Sequence, residues 1–178
     1  RQMTNYEIYT VMRQIVMKVT GLKQVYLADQ AVQAPSGAYA TIRVSQGVQP
    51  MALGSVRRAY DKEKQTVTET VSCPVRYDIP VNFYRAGAMD YAPMLINCSR
   101  LSGVHALLLS KRLGWAGSDL VQNLTALQSS EQEERAVIVV HLVGEKKVSE
   151  TVNTIEAARI IVEDEKTNVL RDSDVDSH

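Results

Sequence analysis

The sequence predicts an α+β fold: a mostly antiparallel mixed sheet of about six or seven strands, two long helices packed on it, and an extended β-hairpin. Three observations lead there. Near the start, Ile8, Met12, Ile15 and Val19 recur at helical spacing. From Val71 to Phe83 the chain alternates apolar and polar residues with period two. Helices and strands do not alternate regularly along the chain, which separates it from doubly wound α/β folds.

The first helix is predicted over Thr4–Thr20, with Val11 and Val16 widening its apolar stripe. Thr4 or Asn5 can cap its start, and Gly21 is a natural C-terminal stop. Val25–Ala28 reads as a short strand and Ala31–Gly37, with Pro35, as a loop. Tyr39–Gln46 places Ala40, Ile42 and Val44 on one side and Thr41, Arg43 and Ser45 on the other, a half-buried strand. Another strand begins near Ser55 and runs into Asp61-Lys62-Glu63-Lys64-Gln65, a charged cluster that reads as a hairpin tip.

The period-two run is the most informative local pattern. Val71, Cys73, Val75, Tyr77, Ile79, Val81 and Phe83 share one face; Ser72, Pro74, Arg76, Asp78, Pro80 and Asn82 share the other. At about 3.3 Å per residue the run spans roughly 40 Å. Both prolines fall at even positions, so both missing N–H donors lie on one flank, and the run is read as an overhanging edge strand with that flank weakened.

A second long helix is predicted over Asp90–Arg112, on the stripe Tyr91, Met94, Leu95, Cys98 and Leu101, with a bend at Ser102-Gly103. Gly114–Gly117 closes it. Strands follow at Leu120–Leu127 and Ala136–Val143, the second apolar on both faces and hence central. Gly144–Asn153 reads as a polar connection and Ile155–Val162 as the last strand. Residues 1–167 read as a single domain, and 168–178 as an acidic, mobile tail.

At 178 residues and 45% hydrophobic composition the chain can bury one core. Twenty basic residues balance twenty acidic ones, which argues against nucleic acid as the main partner. The chain contains no 18-residue apolar run and opens without an apolar leader, so it reads as cytosolic at synthesis, with no membrane partner. Cys73 and Cys98 are too few for a disulfide framework. Each falls on an apolar stripe, where a thiol packs as a small hydrophobe.

No recognised constellation of enzyme residues is present. His105, His141 and His178 share no spacing, and Glu131-Gln132-Glu133-Glu134 reads as a solvated loop. Phosphate-cradling glycine motifs, a nucleophile elbow and a zinc-protease signature are all absent. The leading reading is therefore a non-catalytic structural protein without cofactor or metal. The alternative is a small enzyme or ligand-binding module with a site of dispersed residues, marked by a pocket gathering His105 or His141 with carboxylates. A nucleic-acid connector would instead bring Arg57, Arg58, Arg76 and Arg85 onto one face.

Several segments, taken in order, resemble the neck or tail-terminator (tail-completion) proteins of tailed bacteriophages. They are the opening helix into Val19-Thr20-Gly21-Leu22, then Tyr26-Leu27-Ala28-Asp29-Gln30, then Pro35, Gly37 and Tyr39-Ala40-Thr41. Val81-Asn82-Phe83-Tyr84-Arg85-Ala86-Gly87-Ala88 resembles the strand leading into the second helix, and Glu134-Arg135-Ala136 with Ile155-Glu156 the closing strands. The resemblance implies a virion protein of the tail or neck, assembled in the host cytoplasm. It would form a ring, typically of six copies, that caps the tail tube and joins it to the head-side connector. Its partners would be itself, the tail tube protein, the connector or neck protein and in contractile tails the sheath, with DNA only passing through the lumen.

Combined with that resemblance, the strand and the polar tips nominate interface residues. Pro74, Arg76, Asp78, Pro80 and Asn82 come from the even face of the long strand. Arg57, Arg58, Lys62 and Lys64 come from the charged hairpin, and Lys146 and Lys147 from the polar connection.

Overall fold

The computed structural model describes residues 3–28, 33–44, 47–128, 131–153, 157–163 and 169–176. Helix α1 spans Asn5–Thr20. Its start is closed by a reciprocal cap: the Glu7 N–H donates to Thr4 Oγ1 at 3.2 Å, and the Thr4 N–H donates to Glu7 Oε2 at 2.7 Å. At the other end Gly21, at φ 75°, donates its N–H to the Met17 carbonyl. The face carrying Ile8, Val11, Met12, Ile15 and Val16 is fully buried. Each such side chain stabilises the fold by about 1.5–3 kcal/mol relative to exposure.

The strands follow in order: β1 (Val25–Leu27), β2 (Tyr39–Ile42), β3 (Gly47–Pro50), β4 (Ser55–Asp61) and β5 (Thr66–Tyr84). After a helical stretch come β6 (Gly114–Ser118), β7 (Gln122–Asn123), β8 (Ala126–Gln128), β9 (Glu131–Glu133), β10 (Arg135–Asn153), β11 (Ala157–Glu163) and β12 (Val169–Asp176). Eight of them form one mixed sheet along the path β1-β2-β5-β10-β6, with β3 and β4 also on β5 and β7 also on β10. β1 and β2 run parallel; β2, β3 and β4 run antiparallel to β5. β8–β9 and β11–β12 are separate antiparallel pairs.

The fold class needs correction on its helices. The predicted second long helix is broken into α2 (Ala88–Tyr91), two 3-10 turns at Ala92–Leu95 and Cys98–Arg100, and α3 (Ser102–Ser110). Pro93 lacks the N–H that an uninterrupted helix would need, and Asn97 takes a left-handed φ of 58°. Of the expected stripe, Leu95 and Cys98 are buried, whereas Met94 and Leu101 are exposed.

The long period-two strand is β5, and it is interior, not an edge. β10 lies on one flank; on the other, β4 pairs with residues 66–72, β3 with 75–78 and β2 with 81–84. The gaps between those partners fall at Pro74 and Pro80. The carbonyl of Pro74 accepts from the Met51 N–H, and that of Pro80 from the Arg43 N–H. Each proline lacks a donor towards that same flank, so the ladder there is continued by three short strands instead of one.

β10 likewise extends well beyond the predicted Val143, through the stretch read as a polar connection. Leu120–Leu127 is not one strand but parts of β7 and β8, and Gly114–Gly117 belongs to β6. Val169–Asp176, where the sequence lacks periodicity, pairs as β12 with β11. Ser45, Gln46 and Ile155 lie outside the described residues.

The chain divides into two compact units. The first contains residues 1–54 and 73–147; the second contains 55–72 and 148–178. The first unit holds the core. Ala40, Ile42, Val75, Tyr77, Ile79, Val81 and Phe83 meet Ala136, Ile138, Val140 and Leu142, with α1, α2 and α3 covering this face. Cys98 is buried within it, and that burial pushes its thiol up to about 11, so it packs as an apolar group.

Candidate assembly surfaces

The first surface is the face of the β5–β10 sheet opposite the core. The even residues of β5 and the odd residues of β10 project there by strand alternation. Asp78 organises one part of it. Its Oδ1 lies 2.6 Å from His141 Nδ1 and 3.0 Å from Arg76 Nε, and Arg76 Nη2 donates to Gln49 Oε1 at 2.9 Å. The second imidazole nitrogen of His141 lies 2.9 Å from Asp119 Oδ1.

Asp119 reaches that position through a bulge. The β6–β10 register shifts between His141 and Leu142, with Gly117 opposite His141 and Trp115 opposite Leu142. Gly117 takes φ 124°, a region that glycine alone enters readily. The Asp119 N–H then donates to the Val139 carbonyl, which holds the residue beside His141. Burial lowers the imidazole pKa, but the hydrogen bonds and charges of Asp119 and Asp78 outweigh it and raise the value above 6.5.

A second part of this face is aromatic and cationic. Tyr39 and Tyr84 stack with centroids 4.7 Å apart, and the Arg135 guanidinium lies 5.1 Å above the Tyr84 ring. Arg135 Nη2 donates to Asn82 Oδ1 at 3.1 Å. Beside it, Arg85 Nε donates to the Pro35 carbonyl at 3.0 Å.

Three nominated residues are therefore engaged within the first unit: Arg76 and Asp78 with each other, and Asn82 with Arg135. Pro74 is exposed and Pro80 buried. Lys147 Nζ pairs with Glu145 at 2.9 Å, and Lys146 Nζ lies 5.9 Å from the Tyr77 ring centre.

The second surface is in the second unit. β4 and β5 form a hairpin whose turn, Lys62–Gln65, matches the predicted tip. Asp61 Oδ1 accepts from the Glu63 and Lys64 N–H groups and so shapes the turn. Lys62 and Lys64 are exposed there, with Lys64 Nζ 3.9 Å from Asp61. Arg57 and Arg58 are neighbours on β4 and so occupy opposite faces; Arg58 pairs with Glu69 across the ladder.

The hairpin's two faces differ sharply. Arg57, Thr68, Thr70 and Ser72 share one face by register, where Thr70 meets Ser149 at 2.9 Å and Thr68 meets Thr151 at 3.3 Å. The opposite face pairs Val56 with Val71 and Tyr60 with Val67 around Arg58–Glu69. Val56 is 57%, Tyr60 54% and Val71 44% exposed, a row of apolar side chains open to solvent.

The enzyme alternative named a mark, a pocket joining a histidine to carboxylates. The pocket beside His105 is lined by groups including Ser99, Arg100, Leu109 and Trp115, and by no carboxylate. His141 does meet two aspartates, but they take opposite ring nitrogens and converge on no common point. Among the described residues no group of His, Cys, Asp and Glu is placed to hold a metal. Nor is any helix there long and apolar enough to cross a membrane. The arginines of the nucleic-acid alternative are not gathered either: Arg57 and Arg58 face opposite ways, Arg76 is hydrogen-bonded to Gln49 and Arg85 to the Pro35 carbonyl.

The profile of the phage neck terminator proteins matches residues 6–166, most of the chain. The chain belongs to that family. No curated protein matches it. As a neck terminator it is a structural protein of the bacteriophage virion, located in the tail or neck among other tail and neck components. The family is a structural one and not a family of enzymes.

Asp119, Arg135 and His141 were missed as members of these surfaces by the sequence reading. Gly117 was the available signal: a glycine before Ser118-Asp119 at a strand end is where a bulge re-aims side chains.

Proposed function

We propose that this neck terminator assembles with copies of itself into a ring, of six subunits, that caps the tail tube and joins it to the head-side connector. It contacts the tube protein on one side and the connector on the other, with the sheath as a further neighbour in a contractile tail. DNA passes through the lumen. Assembly takes place in the host cytoplasm, before the neck is complete. The observation that carries this reading, beside the family, is the hairpin of the second unit. A monomer gains nothing from leaving Val56, Tyr60 and Val71 in water, whereas a subunit of a larger assembly buries them.

In this reading Arg58, within that row, and Lys62 and Lys64 at the tip supply the polar groups that set register and partner, while Arg57 offers a contact on the hairpin's other face. Lys147 and exposed Pro74 supply a further contact on the outer sheet face, and Lys146 one on the opposite face, beside Tyr77. Arg76, Asp78, Pro80 and Asn82 act by keeping that outer sheet face rigid. The test is light scattering and negative-stain microscopy of the protein alone and with tail tube protein. Rings in either condition, closing at the tube end, are the expected result. A strict monomer in both conditions refutes the reading.

A further inference from the structure

The zero net charge of the chain conceals a separation. The first unit carries thirteen basic and nine acidic residues, a net charge of +4; the second carries seven basic and eleven acidic, a net charge of −4. The acidity is concentrated in residues 148–178, which hold eight acidic and three basic residues. There Asp172, Asp174 and Asp176 occupy alternate positions of β12.

The first unit offers a matching groove. A depression of about 430 Å³ on its outer sheet face is lined by Thr41, Arg43, Asn82, Tyr84, Gln122 and Arg135, with apolar residues between them and no carboxylate. Arg135 is prepared for an anion. Its guanidinium lies over Tyr84 and is oriented by Asn82, and its Nε is buried without a hydrogen-bond partner. Among the described residues no carboxylate forms an ion pair with it.

We infer that this groove receives the acidic C-terminal segment, around Asp172–Asp176, of a second copy of the chain. The inference rests on the ring reading above and gives it a direction. A contact between a positive unit on one copy and a negative unit on the next is heterologous, so each copy keeps one free donor and one free acceptor surface. Such head-to-tail contacts close into rings when the rotation per subunit allows. Two copies of like charge at the same patch would repel instead.

The experiment uses the full chain in three forms: wild type, Arg135→Glu, and Asp172→Lys with Asp174→Lys and Asp176→Lys. Assembly is followed by sedimentation and microscopy with tail tube protein present, and circular dichroism checks the folding of each form. Each variant alone should need at least about tenfold more protein for half-assembly. The two variants mixed should assemble better than either alone, because the reversed charges again oppose. Wild-type assembly should weaken as salt is raised.

Should Arg135→Glu fail to fold, the aspartate variant carries the test, since it leaves the first unit unchanged. Wild-type rings that both variants leave intact overturn the groove contact but not the ring. Loss of salt-dependent duplex DNA binding in Arg135→Glu, with rings intact, assigns the groove to DNA and also overturns it. Wild type that never forms rings overturns both readings together.

Discussion

Asp78 Oδ1 stands 2.6 Å from His141 Nδ1, joining two adjacent strands across 63 residues of sequence. With Asp119 on the other ring nitrogen, the imidazolium is held between two carboxylates and its pKa is raised from 6.5. A raised folded value means that the protonated form favours the folded state. That contribution is complete below about pH 6.5 and is lost as pH rises through the folded value. Urea midpoints measured from about pH 6 to pH 8 should therefore fall for wild type relative to His141→Asn. Parallel profiles for the two proteins would show that the pair does not couple to folding.

The bulge that supplies Asp119 is open to its own test. Gly117 sits at φ 124°, where a side chain is strained whatever the surrounding space, and nothing lies within 4 Å of an added Cβ. Gly117→Ala should cost about 1–3 kcal/mol through the backbone alone. As the turn relaxes, Asp119 should move away from His141 and the imidazole pKa should drop towards 6.5. Proton NMR of the His141 ring reads this directly; an unchanged titration would mean that the bulge is not what places Asp119.

The contrast between β5 and the second helical region shows where sequence reading works. Period two reports burial within the first unit, where Val75, Tyr77, Ile79, Val81 and Phe83 are all buried, but not at the start of the same run, where Val71 is exposed and Cys73 half-buried. The tip at Lys62–Gln65 was legible because consecutive charges cannot enter a core. Helical spacing near Tyr91 picked out Leu95 and Cys98, which are buried, but also Met94 and Leu101, which are exposed, because Pro93 and Asn97 break the backbone on which that spacing depends. The far half of β10 is mostly polar, with Val148 and Val152 exposed, so its strand state comes from β5 beside it, not from its own pattern. The edge assignment failed for a related reason. Two prolines show which flank lacks donors, not whether short strands fill the spaces between them.

Gly144 marks a tight point in the core. A Cβ there would lie 3.0 Å from Tyr77 Cε2 and 3.2 Å from Leu113 Cδ2. Tyr77 and Leu113 are both buried, so neither has open space into which to move. Gly144→Ala should destabilise by about 1–3 kcal/mol, the usual cost of overpacking. Chemical denaturation measures it. A neutral or stabilising outcome would mean that the Tyr77 ring shifts freely under Lys146.

The hairpin separates stability from assembly most cleanly. Val56 and Tyr60 are more than half exposed, so the folded monomer gains little from either beyond cross-strand contact with Val71 and Val67. Such a contact contributes about 0.2–1 kcal/mol. The double variant Val56→Ser, Tyr60→Ser should thus lower unfolding stability by no more than about 2 kcal/mol. A ring that buries this row should respond far more strongly, because both side chains would be desolvated against a partner. The expected pattern is near-native thermal unfolding of the isolated chain with loss of tube-bound rings in microscopy. Rings that persist in the double variant would place the subunit contact elsewhere. A large fall in monomer stability would instead mean that the row is covered within the chain, and its exposure would then cease to argue for assembly.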